Sequence, residues 1–458
     1  MKGDPQMEQI IFHIDVNSAY LSWSSLKRLE NGDSTDLRTI PAIVGGDMER
    51  RHGVVLAKSI PAKKYGVVTG EPIVNALRKC PSLVIESPDH ALYNQKSREL
   101  MHFLSDICPE IEQLSVDECF MDFTPIKNRY PSPEEAAETI KNQIRDSFGF
   151  TVNIGISDKK VLAKMASDFK KPDLVHTLYS REIDKKMWPL PVSSLYMCGR
   201  SSAEALRKLE IKTIGDLAKT SEEIIVSHLK SHGRLLWEYA NGIDDSTVAA
   251  APSEAKGIGN SITLPKDVTE ETEAFHYLLA LSDSVAGRLR KAGQLAGMIS
   301  VEIKYSSFKT ASHQMTLTNP TNISQVIYDA SCRLFLELWN GSPIRLLGVR
   351  SSKLADPSEP SQLSLFDLGT ASLFPADLPL TADNAAESVR IHRVEGSHAM
   401  QQTSGSYTTQ RTSGSYAIKN SPASPSREKL AALDKTLDAI RQKYGNSAVV
   451  RGSFLKDD

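Results

Sequence analysis

The 458-residue sequence has few cysteines, few aromatic residues and no long apolar run. Its five cysteines are scattered and lack the paired spacings of a zinc site or a disulfide framework, which favours reduced, mostly buried thiols. No apolar run approaches the roughly 18 residues that span a bilayer, and the N-terminus lacks the features of a signal peptide. These absences argue against secreted disulfide-rich and membrane-spanning classes and predict a cytoplasmic protein of several domains.

The net charge of −2 hides a division along the chain. Residues 50–64 carry five Lys or Arg and no acid, and residues 155–235 carry 15 bases against 10 acids. Residues 356–400 carry seven acids against two bases. The net charge argues weakly against nucleic-acid binding. A polyanion is nevertheless expected to bind the first two regions, where bases are in excess, rather than the last.

Strand and helix patterns alternate in the first part of the chain. Residues 9–16 predict a strand, SAYLSWSSLKRL a helix, and residues 112–123 a second strand. A helix is predicted to start after Ser132 in SPEEAAETIKNQIRDSF, followed by a strand in FTVNIGIS and a helix in KKVLAKMASDFKK. This alternation predicts an α/β layer with helices on a sheet.

The rest of the chain divides into three patterns. Residues 186–245 predict short helices, and residues 257–355 predict the strand, helix, two strands, helix, strand order of a split βαβ motif. Beyond residue 355, Ser, Pro, Thr and Ala dominate, and TSGSY occurs at 403–407 and 412–416. This segment is predicted to be partly disordered, while SREKLAALDKTLDAIRQKYG regains helical periodicity.

Three carboxylates interrupt predicted core strands. Asp15 closes the apolar stretch IIFHID, and Asp117 and Glu118 are adjacent within QLSVDECFMDF. Because a buried ionised carboxylate is costly unless it is paired or bound to metal, their position suggests a shared cation. Hard oxygen ligands favour Mg²⁺, and two such ions about 3.5 to 4 Å apart are the usual device for nucleotidyl transfer.

The strand geometry leaves an alternative open for these acids. Successive strand residues face opposite sides, so Asp117 and Glu118 can share a site only at a bend or a strand end. The alternative is that all three are ordinary edge or hairpin residues that face water.

The sequence resembles the Y-family translesion DNA polymerases, in particular the bacterial UmuC and DinB branch. The resemblance runs in order over roughly residues 9–355 and rests on HIDVNSAYLSW, SVDECFMD, GISDKKVLAKMASDFKKPD, TIGDLA, GNSITLPKDVT, SVEIKYSSF and PIRLLGV. It implies an α+β multidomain fold, a right hand with a ferredoxin-like palm, small fingers, a helical thumb and a βαββαβ little finger. The implied boundaries are palm 1–27 and 81–185, fingers 28–80, thumb 186–245, linker 246–256, little finger 257–355 and tail 356–458.

The resemblance also implies metal ligands. Asp15 and Asp117 would bridge two Mg²⁺ ions, Glu118 would hold the ion that activates the primer 3′-hydroxyl, and the carbonyl of Val16 would bind the nucleotide-side ion. The substrates implied are primer-template DNA, including damaged DNA, and a deoxynucleoside triphosphate.

Three further residues acquire roles in nucleotide binding from the resemblance. Tyr20 would be the steric gate that excludes a 2′-hydroxyl, although its spacing alone also fits a core aromatic. Lys63 and Lys171 would hold the triphosphate, although both also fit solvated surface. Lys63 replaces a usual Arg and Ile60 a usual Tyr, so the contacts of this chain with the nucleotide are expected to differ.

The thumb segment LYMCGRSSAEALRKLEIKTIGDLA resembles a helix-hairpin-helix that binds DNA phosphate through backbone amides. Met197 and Glu210 stand where glycine is common, and simple helix packing is the alternative. In the little finger, five basic residues are candidates for contacts with DNA backbone: Arg288, Arg290, Lys291, Lys304 and Lys309.

The pentapeptide QLSLF, residues 362–366, resembles the bacterial sliding-clamp-binding motif. Gln362 would make polar contacts, and the apolar Leu363, Leu365 and Phe366 would fill a groove on the clamp. A stray hydrophobic segment in a polar tail is the alternative.

Three functions are compatible with these motifs. The first is an error-prone, template-directed DNA polymerase that is monomeric, acts at the nucleoid and copies past damaged bases. The second is a catalytically silent adaptor that binds DNA and the clamp, which the presence of Asp15, Asp117 and Glu118 opposes. The third is a Mg²⁺-dependent nuclease, which explains neither Tyr20 nor the little finger.

Overall fold

The computed structural model describes residues 9–46, 53–249, 255–358, 426–445 and 448–449. The chain divides into two compact units, one of residues 1–254 with 263–265 and one of the remainder. Within the described ranges, every helix is too short or too polar to cross a membrane. The finer boundaries of palm, fingers and thumb stay a prediction.

The first unit contains eight strands and ten α-helices among its described residues. The strands are β1 Ile11–Val16, β2 Ala42–Gly45, β3 Val55–Lys58, β4 Val84–Glu86, β5 Ile111–Gln113, β6 Glu118–Asp122, β7 Val152–Ser157 and β8 Val175–Thr177. The helices are α1 Ala19–Glu30, α2 Ile60–Lys64, α3 Ile73–Lys79, α4 His90–Ile107, α5 Pro133–Phe148, α6 Lys160–Ser167, α7 Ile183–Lys186, α8 Arg200–Lys208, α9 Ile214–Lys219 and α10 Glu222–Ala240.

A five-stranded sheet of order β5-β6-β1-β7-β8 forms the centre of the first unit. β1 is antiparallel to both of its neighbours and is buried on both faces. Phe12 and Ile14 pack in the large core with residues of α1, α4 and α5, while Ile11 packs with Phe120 and with Ala163 of α6. The predicted α/β layer is therefore confirmed, and a separate three-stranded sheet has the order β3-β2-β4.

Helix α6 lies unusually close to β7. A Cβ atom added at Gly155 would lie 2.0 Å from the carbonyl oxygen of Ala163 and 2.5 Å from the amide nitrogen of Ser167. Only glycine therefore permits this approach, which brings the α6 side chains near the end of β1 and β6.

The predicted strand at 112–123 is wrong in one respect. The chain forms two short strands, β5 and β6, which pair antiparallel around a turn at residues 114–117. The turn has neither Gly nor Pro, and the hydroxyl of Ser115 accepts a hydrogen bond from the amide of Asp117 instead. Side-chain bonding of this kind can replace the usual turn residues.

The second unit has the predicted βαββαβ order. Its elements are β9 Gly257–Val268, α11 Glu271–Lys291, β10 Leu295–Tyr305, β11 Thr310–Thr321, α12 Ser324–Leu338, β12 Ile344–Ala355 and a final helix α13 Arg427–Tyr444. The sheet order is β11-β10-β12-β9. In β10, Ile299, Val301 and Ile303 are buried, whereas the intervening side chains lie on the other face.

The tail predictions fall largely outside the described residues. QLSLF at 362–366 and both TSGSY repeats lie there, whereas the predicted C-terminal helix is confirmed as α13.

Candidate active site

The fold brings the three predicted carboxylates to one end of the five-stranded sheet. Asp15 of β1 lies directly opposite Glu118 of β6 in the antiparallel register. Asp117 lies in the turn immediately before β6, and its carbonyl accepts a 3.0 Å hydrogen bond from the amide of Val16. Because Asp117 is at the strand end, the alternation of strand side chains no longer separates it from Glu118.

Each carboxylate is held by a different polar partner. The Lys171 ammonium donates to Asp15 Oδ1 at 2.6 Å, and the Ser115 hydroxyl donates to Asp117 Oδ1 at 2.6 Å. Lys164 of α6 forms an ion pair with Glu118. The two lysines therefore supply positive charge at two of the three acids.

Burial and hydrogen bonding shift the pKa values of these groups in opposite directions. Burial raises the pKa of Asp15, although Lys171 opposes that shift. The hydrogen bond from His13 and the nearby Lys164 lower the pKa of Glu118 to about 2. His13 is fully buried, and its burial lowers its own pKa. Glu118 is therefore ionised at neutral pH, as a metal ligand must be.

The donor set fits hard divalent cations, although the side chains are arranged around separate partners. Within the described parts of the chain, no group of three or more His, Cys, Asp or Glu side chains surrounds one point. Carboxylate oxygens are nevertheless the ligands that Mg²⁺ prefers. Asp15 is largely buried beside an ammonium, so a bound cation could take over the counter-charge that Lys171 now provides.

Tyr20 lies on the first turn of α1 and stacks on Tyr93 of α4. The ring centroids are 4.3 Å apart and the rings are 9° from parallel. The Tyr93 hydroxyl lies 2.8 Å from the Ser24 hydroxyl, and His90 meets the Tyr20 ring edge-on. The Tyr20 ring is only partly buried, so one side remains open while the other is supported.

A buried amide network positions the loop that carries Lys171. The fully buried Asn153 donates from Nδ2 to the carbonyls of Ser167 and Lys170, at 3.1 and 2.7 Å. Its Oδ1 accepts from the side chain of Asn17, which in turn accepts from the amide of Asp173. Two short asparagine side chains thus connect β1 and β7 to the loop on either side of Lys171.

Lys63 is placed differently from Lys171. It is exposed on α2, next to the small three-stranded sheet, and Ile60 is 49% exposed on the same helix. Burial and the charge of Lys63 together lower the pKa of Lys58. These two lysines form a positive patch within the basic stretch 50–64.

The two residues of the predicted hairpin that stand where glycine is common have left-handed backbone. Met197 and Glu210 have φ angles of 69° and 61°. Left-handed backbone is disfavoured for residues with a Cβ, so the surrounding structure imposes it at both positions. The hairpin itself stays a prediction.

The open face of the second unit's sheet carries a shallow trough. It is lined by small residues at Gly259, Ser261, Ser300 and Gly348 and by the charged Glu302 and Arg350. Lys309 is exposed in the turn after β10, and Lys304 is partly exposed on that strand. The trough therefore carries charges of both signs, and the two lysines add positive charge near the turn.

One of the five basic candidates for DNA contact, Arg290, binds acidic side chains of the protein instead. Arg290 is 10% exposed at its side chain and forms ion pairs with Asp434 and Asp438 of α13. Its assignment to DNA backbone is therefore not supported. Arg288 and Lys291 are exposed on the same helix.

Sequence reasoning missed several residues that support the site. His13, Lys164, Asn17 and Asn153 all lie within the quoted motifs, but no role was assigned to them. Their partners are far apart in sequence, as in the contact of Asn153 with Asn17. A buried polar residue within an apolar strand was the available signal, since such groups need partners.

Comparisons with known proteins identify relatives of this chain. Residues 14–168 match the impB/mucB/samB family, and residues 255–365 match the C-terminal domain of that family. A DNA polymerase IV of Clostridium acetobutylicum is 40% identical, with 99% of this chain and 100% of that protein aligned. A DNA polymerase IV of Alkaliphilus oremlandii is 36% identical over 79% of this chain and 90% of that protein.

A solved structure shares the fold. The Y-family DNA polymerase chimera Dbh-Dpo4(243-245)-Dbh aligns with a TM-score of 0.66 at 20% identity, over 76% of this chain and 99% of that chain. At this identity the likeness concerns the fold alone. Together with the family matches and the full-length relatives, it establishes that the chain belongs to the impB/mucB/samB family of Y-family DNA polymerases.

Proposed function

We propose that this DNA-directed DNA polymerase is an error-prone translesion enzyme that adds nucleotides to a primer by two-Mg²⁺ nucleotidyl transfer. The observation that carries the proposal is the meeting of Asp15, Asp117 and Glu118 at one end of β1 and β6. Polymerisation of DNA requires primer-template DNA and a deoxynucleoside triphosphate as substrates, and Y-family polymerases generally use divalent ions.

The chain's own groups hold the reactants in this proposal. Asp15, Asp117 and Glu118 would hold the ions, and the Val16 carbonyl would be a further ligand. Bound divalent ions would supply Lewis-acid stabilisation of charge on the phosphates. Lys171, which pairs with Asp15 in this structure, is placed to bind the triphosphate instead, because both partners are anionic.

Sugar and triphosphate selection follow from residues around the carboxylates. The exposed part of the Tyr20 ring faces the sugar of the incoming nucleotide. The stacked Tyr93 ring prevents Tyr20 from moving away when a 2′-hydroxyl contacts it. Lys63 supplies a further positive charge from α2. A lysine is a point charge and lacks the bidentate fork of an arginine, so it attracts the phosphates but fixes their orientation less.

DNA is held by backbone contacts rather than by base reading. The hairpin between α8 and α9 offers amides to a phosphate, and Lys304, Lys309 and Arg350 offer positive charge on the second unit. Contacts of this kind are independent of sequence, as a polymerase requires.

The tail adds a partner to this activity. Gln362, Leu363, Leu365 and Phe366 form a sliding-clamp-binding motif, and clamp binding raises the local concentration of the enzyme at the primer end. The polymerase acts as a monomer, at the nucleoid, and gains processivity from the clamp. The adaptor alternative is disfavoured because an adaptor has no use for three carboxylates at one sheet end.

Primer extension on damaged and undamaged templates tests the function. The wild-type enzyme is expected to extend primers past at least one lesion of a panel and to leave the template uncut. Asp117→Ala should lose extension on every template, while Asp122→Asn, at the far end of the same strand, should retain it. A wild-type protein that extends no primer is the adaptor, and one that cuts DNA without extending it is the nuclease.

A further inference from the structure

The C-terminal helix α13 lies against α11 and α12 through charged groups. Asp434 is its buried residue, at 2% exposure, whereas Leu433 is 51% exposed. Leu430, Leu437 and Ile440 are only partly buried. Within α13, therefore, no apolar side chain is fully buried, and the most buried residue is an acid.

Ion pairs connect α13 to α11 in two places. The Arg290 guanidinium binds Asp434 at 3.1 Å and both oxygens of Asp438, at 2.5 and 3.0 Å. Farther along, Arg441 Nη1 lies 2.8 Å from Asp283 Oδ2. Both helices thus contribute charges of both signs.

The order of these charges fixes the direction of α13. On α11 an acid precedes a base by seven residues, and on α13 the acids Asp434 and Asp438 precede the base Arg441. Seven residues are two turns, or about 10.5 Å, so each set lies on one helix face. Opposite charges meet only when the helices run antiparallel, and a reversed α13 would place like charges together.

Asp434 also caps the N-terminus of α12. Its Oδ2 accepts a 2.8 Å hydrogen bond from the amide of Ser324, the first residue of that helix, while Arg290 donates to the carbonyl of Asn322. A carboxylate at a helix N-terminus is favoured by the free amides and the helix dipole. Asp434 therefore provides a cap from more than 100 residues away.

We propose that α13 is an ion-pair latch that holds its stretch of the chain, residues 427–444, on the second unit. The described part of this unit stops at residue 358 and resumes at residue 426. The latch does not rest on the proposed clamp binding.

The latch lies outside both family matches. These matches cover residues 14–168 and 255–365, whereas the Clostridium acetobutylicum alignment covers 99% of the chain.

A cleavage experiment on the full-length protein tests the latch. A specific protease site replaces the second TSGSY repeat, residues 412–416, and a C-terminal tag marks the fragment that carries α13. After cleavage, the wild-type fragment is expected to co-elute with the polymerase at about 0.1 M salt, because salt screens the buried Arg290–Asp434 pair only weakly.

Two variants disrupt the ion pairs, and a third serves as the control. Arg290→Glu should release the fragment at low salt, whereas Arg333→Glu, the same change at a 71% exposed side chain of α12, should retain it. Asp438→Arg changes only the fragment and should also release it, which separates loss of the latch from misfolding of the second unit. Separation of the wild-type fragment at low salt would overturn the proposal, as would retention of the fragment at the wild-type level in both Arg290→Glu and Asp438→Arg. None of these readouts depends on polymerase or clamp activity.

Discussion

Asp15 and Glu118 lie opposite each other in the register of two antiparallel strands, and the amide of Val16 bonds to the carbonyl of Asp117 beside them. Backbone pairing, rather than side-chain packing, therefore sets the positions of the acids. Substitution of one carboxylate should leave the sheet intact, which makes loss of activity in such variants interpretable.

We expect Tyr93→Leu to weaken discrimination against ribonucleotides. Stacked aromatic pairs contribute roughly 0.5–1.5 kcal/mol beyond area burial, so loss of the support behind Tyr20 should reduce discrimination by about 2- to 10-fold. The measurement is the ratio of kcat/KM for a deoxynucleotide to that for the ribonucleotide. Tyr20→Ala removes the gate itself and should reduce this ratio further.

Tyr93→Phe is the matched control because it keeps the ring and loses only the contact with Ser24. Its sugar discrimination should equal that of the wild type. If Tyr20→Ala selects sugars as the wild type does, Tyr20 is not the gate.

Asn153→Ala should lower stability and weaken nucleotide binding together. The change removes the Asn153 donor from the carbonyl of the buried Ser167, at a cost of about 1–3 kcal/mol, while the Lys170 carbonyl keeps its contact with His176. It also loosens the loop that carries Lys171, so KM for the nucleotide should rise. Lys171→Ala should raise KM without the loss of stability; an unchanged KM in both variants would remove Lys171 from nucleotide binding.

Gly155→Ala should destabilise the first unit and reduce activity. The added methyl group meets the backbone of α6 at 2.0 and 2.5 Å, and overpacking of this kind costs about 1–3 kcal/mol. Thermal unfolding measures the effect. Gly199→Ala is the control, since a Cβ there has no atom of the described structure within 4 Å; equal melting temperatures for the two variants would argue against the close approach of α6.

Deletion of residues 362–366 should abolish stimulation of synthesis by the clamp and spare extension of short primers without it. The reason is that the motif tethers the enzyme but takes no part in the chemistry. Deletion of the TSGSY repeat at 403–407 removes the same number of residues and should keep the stimulation. Equal loss of clamp-dependent and clamp-independent synthesis would contradict the assignment.

Periodicity and motifs predict the elements of this protein better than its turns and distant pairs. The βαββαβ order and α13 follow from regular apolar spacing. The turn at 114–117 was not predicted, because Ser115 and Asp117 form it without Gly or Pro. Met197 and Glu210 show the converse, since the sequence departs from glycine while the surrounding fold still imposes a positive φ.

The role of Arg290 could not be predicted from its neighbourhood in the sequence. A basic residue near the end of a helix resembles an exposed DNA contact, but its partner Asp434 lies 144 residues away. The carboxylates, by contrast, were identifiable because ionisable groups in apolar strands need a special environment.

The Mg²⁺ dependence of single-turnover primer extension by Asp117→Asn, beside Asp122→Asn, tests the central claim most directly. Asp122 lies on the same strand and is held by Gln9 and the amide of Thr124, away from the proposed ions. The account predicts that Asp117→Asn loses at least roughly 1000-fold in rate, or about 4 kcal/mol, at every Mg²⁺ concentration, while Asp122→Asn stays near the wild-type rate. Rates for the two variants within about tenfold of each other, with the same Mg²⁺ dependence, would contradict it.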